Sequence, residues 1–431
     1  MGFLSLLALG INGVVGVGIF FAPAEVAALI PGTVTIGGFT VARSVVGFAL
    51  TALAMIPVAL TIGLLGSRFD QDGGPVLYAR AAFGELAGFV VGWLAYVSSV
   101  FSAAAIHVGL MRALADAAGI ASPWAQKAGA VGLVLALSAI VAAGIGVSAR
   151  VWSVLTILKL VPLLLLLVAW LVVSGRSSVP QPEATQQAGS WLRAGLTIAF
   201  TYQGFEIVPM IAGQARSSAR TIPLATLGAL LLSGVLYLFL QQACVSNVAD
   251  LAHASSPLVA AGQALGGDRL GALLRAGTSV SALGIAFGMM AMTPRFLSAL
   301  ARVSHLGAGL SDESQKGTPR WALAVTVVMV SVLVMAGSLG ELFTLSSIAV
   351  ITQHGIGACA LAVLAFRRQR GLILRHAWSV IPTLGVVAVL LTAASAREWG
   401  VAAGVAAVGI VLRALRRKTQ LAPTEAPRPN P

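Results

Sequence analysis

Charge is what this sequence lacks most. Charged residues make up 10% of its 431 residues, whereas an ordinary soluble domain carries roughly 25%. Hydrophobic residues make up 58%, and the mean hydropathy is +0.94. A water-soluble globule could not bury that much apolar surface, so the composition excludes a soluble enzyme, a nucleic-acid-binding protein and a disordered chain. The class that remains is a polytopic membrane protein.

Residues for disulfides, metal sites and catalysis are also scarce. The two cysteines, Cys244 and Cys359, both lie in apolar stretches. This argues against a disulfide framework or a zinc site and indicates small buried side chains. The chain has no His-Glu-x-x-His motif, and no predicted span contains an aspartate. An intramembrane enzyme needs such a constellation, so we expect no enzyme activity, no metal and no cofactor.

Long apolar runs are abundant instead. A membrane-spanning helix needs about 20 mostly apolar residues, and the sequence predicts about twelve such helices. Their limits are residues 4–30, 43–66, 84–108, 128–147, 152–173, 191–212, 222–245, 270–293, 321–338, 341–366, 377–395 and 398–413. The expected fold is an all-α polytopic transmembrane domain over residues 1–413, followed by a basic, Pro-rich tail over residues 414–431.

The surplus of basic residues fits the same class. The chain has 27 Lys and Arg residues against 14 Asp and Glu residues, a net charge of +13. If the N-terminus is cytoplasmic, most of the basic residues fall in cytoplasmic loops and in the tail, as the positive-inside rule requires. We therefore expect a multi-pass protein of the cytoplasmic membrane with both termini in the cytoplasm, and no binding of nucleic acid.

Glycines cluster in the first predicted span. Gly13, Gly16 and Gly18 fall at mid-membrane depth, and glycine weakens a helix and permits unwound backbone. Unwound backbone persists in a membrane only where it is buried in protein or lines a wet cavity. Close helix packing through small residues is the alternative. The density of the glycines favours an interrupted helix.

A second interruption is expected in the sixth span, where Gly204, Glu206 and Pro209 lie close together. The two interruptions are five spans apart. Because each span reverses the direction of the chain, two spans separated by an odd number run in opposite directions. This predicts an inverted repeat of residues 1–173 against 191–366, with two further helices appended. Interrupted helices at matching positions indicate a transporter with a midplane substrate site; a channel pore normally uses filter segments repeated around an axis.

Such a site has a definite chemistry. The half-helix after Gly18 presents free N–H groups and a positive dipole end, which suit a carboxylate. Carbonyl groups freed at both interruptions suit an ammonium group or another cation. A site with both features fits a zwitterionic amino acid.

Four stretches of the sequence carry a family signature. They are Gly10–Phe20 with its ending Gly-Val-Gly-Ile-Phe, Gly66–Pro75 running on to Tyr78-Ala-Arg80 and Gly84, Phe200–Glu206 followed by Ala215-Arg216 and Arg220-Thr-Ile-Pro223, and Arg295 with Ala299–Arg302. On these stretches, which come in the family's order, the chain resembles permeases of the amino acid–polyamine–organocation superfamily.

The resemblance implies a five-plus-five inverted repeat that moves an amino acid by alternating access, with protons as the coupling ion. An amino acid or amine exchanger and a polyamine permease of the same fold are the alternatives. The N–H groups of Val17 and Gly18 would meet the carboxylate. The carbonyls of Val14, Phe200 and Gln203 would meet the ammonium, and Phe200 would also be a gate. The implied substrate-binding residues are Val14, Gly16, Val17, Gly18, Phe200, Gln203, Gly204 and Met289.

Lys159 stands inside the fifth predicted span, where a lysine is expensive and indicates a function. Snorkelling of its side chain to the cytoplasmic surface is the alternative. The resemblance implies a proton-coupling lysine at this position, and Glu206 is the next candidate. The sequence leaves open the roles of Glu25, Gln353 and His354, the identity of the substrate and the oligomeric state.

Overall fold

Helices form most of the structure, because in a bilayer a helix satisfies its backbone hydrogen bonds internally. A computed structural model describes residues 2–69, 71, 73–144, 149–173, 190–215, 218–304, 308–312 and 318–421. In chain order the elements are α1 (Phe3–Val14), α2 (Gly18–Leu29), β1 (Thr33–Ile36), β2 (Phe39–Ala42), α3 (Arg43–Gly66), α4 (Pro75–Phe83), α5 (Glu85–Ala118), α6 (Pro123–Ala142), α7 (Ala149–Val173), α8 (Ser190–Tyr202), α9 (Ile207–Met210), α10 (Ser218–Asn247), α11 (Pro257–Ser304), α12 (Ala308–Ser311), α13 (Arg320–Ala336), α14 (Leu339–Phe366), α15 (Val380–Leu391) and α16 (Ala396–Leu421).

Seven helical segments among the described residues are long and apolar enough to cross a membrane, and the bent pair α1–α2 makes an eighth. The seven are α3, α5, α6, α10, α11, α14 and the segment Leu374–Leu391, which contains α15. Part of α7 (Leu158–Val173) and α13 are apolar but shorter. The all-α polytopic membrane class is thus confirmed, whereas the count of about twelve spans stays a prediction.

A short hairpin between α2 and α3 was not predicted. Strands β1 and β2 pair in antiparallel register, with Val34 opposite Val41. The turn is formed by Gly37 and Gly38, whose φ angles are +58° and +85°. Two positive φ angles define the tight turn that Gly-Gly favours between strands. A search for long apolar runs does not detect this hairpin, because each strand is only four residues long.

The last helix is longer than expected. The sequence predicted a span that ends at residue 413, but α16 continues to Leu421. Alanine, leucine, arginine and lysine dominate the residues after Arg413, and all four are strong helix formers. The first proline after the span is Pro423. Part of the predicted tail is therefore helical, and the remainder from residue 422 lies outside the described residues, as does Arg216 of the family signature.

The two cysteines differ in exposure. Cys244 is buried, as expected, but Cys359 is exposed, so the prediction that it is buried is wrong. Cys359 shares an outward-facing stripe of α14 with Ile356 and Val363, at the three- and four-residue spacing of one helix face. An apolar sequence context could not distinguish this stripe from the buried face of the same helix.

One end of the bundle, here called the basic end, is rich in arginines, three of which contact neutral groups. Arg367 donates to the carbonyl of Ala82 over 3.2 Å, and the guanidinium carbon of Arg370 lies 4.1 Å from the centroid of the Phe69 ring. Arg413 near the end of α16 donates to a carbonyl at the start of α5. The ends of α3, α14 and α16 therefore meet at this side of the molecule.

At the opposite end, here called the paired end, carboxylates and arginines form ion pairs. They join α2 to α5, α8 to α16 and α14 to α16, through Glu25–Arg112, Glu398–Arg193 and Glu341–Arg397. Because the later part of α2 and the start of α8 both lie here, the helix pair α1–α2 runs toward the paired end and α8 runs away from it.

Candidate functional site

The first helix is interrupted at residues 15–17. α1 ends at Val14 and α2 begins at Gly18, with a bend of 48° between them. Inside the interruption the N–H of Gly16 donates to the carbonyl of Val14 over 2.6 Å. The side chain of Val17, which precedes α2, makes no capping hydrogen bond. The first N–H groups of a helix lack partners within it, so this end of α2 is suited to bind an anion.

The surroundings of the glycines at this interruption differ. A Cβ added at Gly16 would meet only backbone carbonyl oxygens, at 3.7 and 3.9 Å. A Cβ added at Gly18 would lie 3.1 Å from the Cα of Thr201 in α8. Gly18 therefore allows α2 to pack against α8, whereas a Cβ at Gly16 would make only ordinary van der Waals contacts.

The second interruption separates α8, which ends at Tyr202, from α9, which begins at Ile207. Gly204 has a φ angle of +118°, which residues with a side chain rarely adopt. Its N–H donates to Oε2 of Glu206 over 2.8 Å. Glu206 thus satisfies a backbone group of the interruption, and its proton-coupling role stays a prediction.

The two interruptions cross at Gly13 and Gly204. A Cβ added at Gly13 would lie 2.7 Å from the carbonyl oxygen of Gly204, and a Cβ added at Gly204 would overlap the backbone of Gly13. Neither position accepts a side chain, so the two backbones touch directly. Residues that are far apart in sequence thereby form one site.

Donors from other helices occupy the carbonyl groups at the end of α1. The hydroxyl of Tyr237 in α10 donates to the carbonyl of Val14 over 2.7 Å, and the same oxygen accepts the N–H of Gly16. A carbonyl oxygen has two lone pairs. Both lone pairs of the Val14 carbonyl are therefore engaged in this conformation, and its role in binding the substrate ammonium stays a prediction.

Lys159 also reaches the end of α1. Lys159 is 5% exposed, and its Nζ donates to the carbonyl of Asn12 over 2.8 Å. It forms no ion pair with a carboxylate in the described parts of the chain. A cation at the C-terminus of a helix interacts favourably with the helix dipole. In this conformation Lys159 is buried against α1 and does not snorkel.

An aromatic pair lies on the paired-end side of the second interruption. The rings of Phe200 in α8 and Phe343 in α14 stack with centroids 4.2 Å apart. One turn further along, the side-chain amide of Gln203 contacts the hydroxyls of Ser346 and Ser347 at 3.1 and 3.4 Å. These contacts join α8 to α14 and cover the interruption on this side.

Two other candidates lie in different settings. Met289 in α11 is half-buried and packs against the main core, so its role as a pocket residue stays a prediction. Glu25 pairs with Arg112 at 3.1 Å. Its charge is therefore balanced within the protein, and its functional role stays open.

Gln353 and His354 are both buried in α14 but make separate contacts. The Gln353 amide donates to the carbonyl of Ala349 over 3.2 Å and lies 3.5 Å from the hydroxyl of Ser98. The ring of His354 packs against Phe205, with centroids 5.7 Å apart. Both residues therefore help to fix α14 against its neighbours.

The sequence interpretation missed Tyr237, which the structure brings to the first interruption. A signal was present: Tyr237 and Gln241 are four residues apart in the apolar helix α10, which puts them on one face. Gln241 donates to the hydroxyl of Ser44 and to the carbonyl of Pro23, at 2.9 and 3.4 Å. One face of α10 thus contacts both parts of the first helix, α1 through Tyr237 and α2 through Gln241.

Together these features define a polytopic α-helical membrane protein in which two interrupted helices run in opposite directions and cross. A sequence profile of the amino acid permease family matches residues 1–409, so the chain belongs to that family. The resemblance carried by the four sequence stretches is thereby confirmed.

The individual relatives have low sequence identity to this chain. An uncharacterized transporter of Mycobacterium tuberculosis is 27% identical over 420 residues, which cover 95% of this chain and 89% of the relative. The branched-chain amino acid permease BcaP of Lactococcus lactis is 24% identical, covering 88% and 86%. The serine/threonine exchanger SteT of Bacillus subtilis is 24% identical, covering 71% and 69%. Their names differ in substrate and in mode of transport.

Proposed function

We propose that this protein is a secondary active transporter that moves an amino acid across the cytoplasmic membrane by alternating access, coupled to protons. The amino acid permease family and the named relatives support the substrate class. The observation that carries the coupling is the hydrogen bond from the Lys159 ammonium to the Asn12 carbonyl at the interrupted end of α1.

Lys159 connects proton binding to the first interruption. The protonated amine donates to the Asn12 carbonyl and holds α7 against α1. A neutral amine has no charge to interact with the C-terminal dipole of α1 and is a weaker hydrogen-bond donor. Deprotonation of Lys159 therefore releases α1. Proton binding therefore biases the equilibrium between the two access states.

The N-terminus of α2 is the proposed carboxylate site. The N–H groups of Val17 and Gly18 supply the donors, and the absence of close contacts to a Cβ at Gly16 among the described residues supports access to them. Carbonyl groups at the interruptions receive the ammonium, those of Phe200 and Gln203 at the second and that of Val14 at the first once its present donors release it. The stacked pair of Phe200 and its partner in α14 closes the site toward the paired end.

The proposed arrangement includes about twelve spans, with residues 1–173 and 191–366 as inverted repeats. The opposite directions of the two interrupted helices support the repeat. Residues 366–379 at the basic end include four arginines and no acidic residue, which supports a cytoplasmic location for that end and for both termini. A cysteine at Gln369, in a Cys359→Ala background, should react with an impermeant maleimide from the cytoplasmic side only.

Uptake into proteoliposomes tests the coupling. An acidic outside should stimulate uptake by the wild type, and Lys159→Met should remove the stimulation while substrate still raises the melting temperature. Lys127→Met is the matched control, because it removes a lysine that donates to a carbonyl near the paired end. If Lys159→Met keeps the full response to the pH gradient, Lys159 does not couple transport, and Glu206 is tested next.

An exchanger is the second candidate, because the relative SteT is named as one. Vesicles preloaded with unlabelled amino acid distinguish the two modes. A proton symporter accumulates labelled substrate in empty vesicles under a pH gradient, whereas an exchanger requires the internal substrate. Competition by polyamines in the same assay tests the polyamine permease.

A further inference from the structure

We propose that the loop between α14 and α15 binds anionic phospholipid at the membrane surface. This segment, here called the basic loop, comprises residues 366–379 and lies at the basic end. The inference requires only that the chain spans a membrane, so it is independent of the transport proposal.

The basic loop concentrates positive charge. It contains no acidic residue, and its four arginines, all exposed, are Arg367, Arg368, Arg370 and Arg375. Arg368 and Arg375 pair with no carboxylate among the residues that the structure describes. Arginine binds phosphate through two parallel hydrogen bonds. The loop therefore has unbalanced charge of the sign and chemistry that a phosphate group neutralises.

Large apolar side chains are exposed beside these arginines. Leu374 is 67% exposed and Trp378 is 63% exposed, and Ile381 at the start of α15 is 80% exposed. The loop surface thus continues into the apolar surface of α15, which faces lipid if α15 spans the membrane. Tryptophan favours the boundary between headgroups and acyl chains, so the loop lies at headgroup depth.

The shape of the basic loop is fixed by the rest of the protein. Arg368 and Arg370 have φ angles of +52° and +53°, which are uncommon for residues with a side chain. Arg370 stacks on Phe69, and Leu372 is fully buried. A surface that is already ordered loses less conformational entropy when a ligand binds.

A phospholipid fits both parts of this surface, because its phosphate can meet Arg368 and Arg375 while its acyl chains cover Leu374 and Trp378. A soluble anion would leave the apolar side chains in water. Each basic residue near an anionic membrane strengthens binding roughly fivefold. The occupant that matches the charge and the apolar surface together is therefore an anionic lipid of the bilayer.

Fluorescence quenching of Trp378 tests the proposal. Full-length protein is placed in nanodiscs of phosphatidylcholine and phosphatidylglycerol in equal amounts, with brominated chains on one lipid or on the other. The Trp378 signal is the difference between the wild type and Trp378→Phe. Quenching should be stronger when phosphatidylglycerol carries the bromine. The variant Arg368→Gln/Arg375→Gln should lose this excess, because binding weakens about 30-fold.

The matched control is Arg220→Gln/Arg320→Gln, which removes two exposed arginines outside the basic loop and should keep the excess quenching. Equal quenching by the two brominated lipids would overturn the proposal. Loss of the excess in the control pair would overturn it as well, because the attraction would then come from overall charge and not from this loop.

Discussion

The two interruptions of this protein satisfy their unwound backbone in different ways. Backbone groups without partners are costly at membrane depth. At the first interruption the partners come from other helices, because Lys159 of α7 donates to Asn12 and Tyr237 of α10 donates to Val14. At the second interruption the partner is local, because the N–H of Gly204 donates to the carboxylate of Glu206 two residues away.

This difference separates backbone groups that depend on other helices from one that has its partner in the same loop. A shift or a change of charge in α7 or α10 alters the hydrogen bonds at the end of α1. We expect the second interruption to keep its hydrogen bond to Glu206 when neighbouring helices move, because donor and acceptor belong to the same loop. A proton or a substrate should therefore act on the transport cycle mainly through the first interruption.

The largest effect is expected where the two interruptions touch. Gly204→Ala forces a Cβ into the backbone of Gly13 and should destabilise the protein by more than about 4 kcal/mol. Size-exclusion chromatography should then show little folded protein. Gly132→Ala is the control, because a Cβ there meets nothing within 4 Å. A Gly204→Ala protein with a wild-type melting temperature would contradict the crossing.

The next effect separates binding from packing at the first interruption. Gly16→Ala should leave the melting temperature unchanged but weaken substrate binding at least about tenfold, because its methyl group enters the space beside the proposed carboxylate site. Gly18→Ala should lower the melting temperature, because its Cβ meets Thr201 of α8 at 3.1 Å. Thermal unfolding with and without substrate measures both. Unchanged affinity in Gly16→Ala would move the carboxylate site elsewhere.

A smaller effect is expected from Tyr237→Phe. Loss of the hydroxyl removes one hydrogen bond from the Val14 carbonyl, which should cost about 1–2 kcal/mol and raise the KM for uptake several-fold. Tyr202→Phe is the matched control, because its hydroxyl donates to the carbonyl of Phe48 in α3 over 3.1 Å. The control should lose similar stability at constant KM. A raised KM in both variants would show a general packing effect.

The smallest effect is expected from Glu206→Gln. The amide oxygen of glutamine can still accept the N–H of Gly204, so uptake and its stimulation by acid should stay within about twofold of the wild type. Glu206→Leu removes the acceptor and should lower the melting temperature. Loss of acid stimulation in Glu206→Gln would show that the second interruption, and not the first, responds to protons.

The sequence was most informative where the signal is local. Composition predicts the membrane class, and the glycines at 13–18 and 204 indicate unwound backbone because glycine affects its own segment. The spacing of Tyr237 and Gln241 indicates a polar face on α10, but the partner of that face depends on how α10 packs against α1, so the contact with Val14 does not follow from the sequence. The rotation of α14, which exposes Cys359, depends in the same way on packing against distant helices.

The contact between Gly13 and Gly204 also has a consequence for engineering this protein. Each residue is already the smallest that exists, so no compensating replacement can make room for a side chain at the other. The two positions must be kept together in any redesigned sequence. Gly132 and Gly385, which have nothing within 4 Å of an added Cβ, are the opposite case. Alanine at either helical position should stiffen the unfolded chain and stabilise the protein by about 0.4–1 kcal/mol.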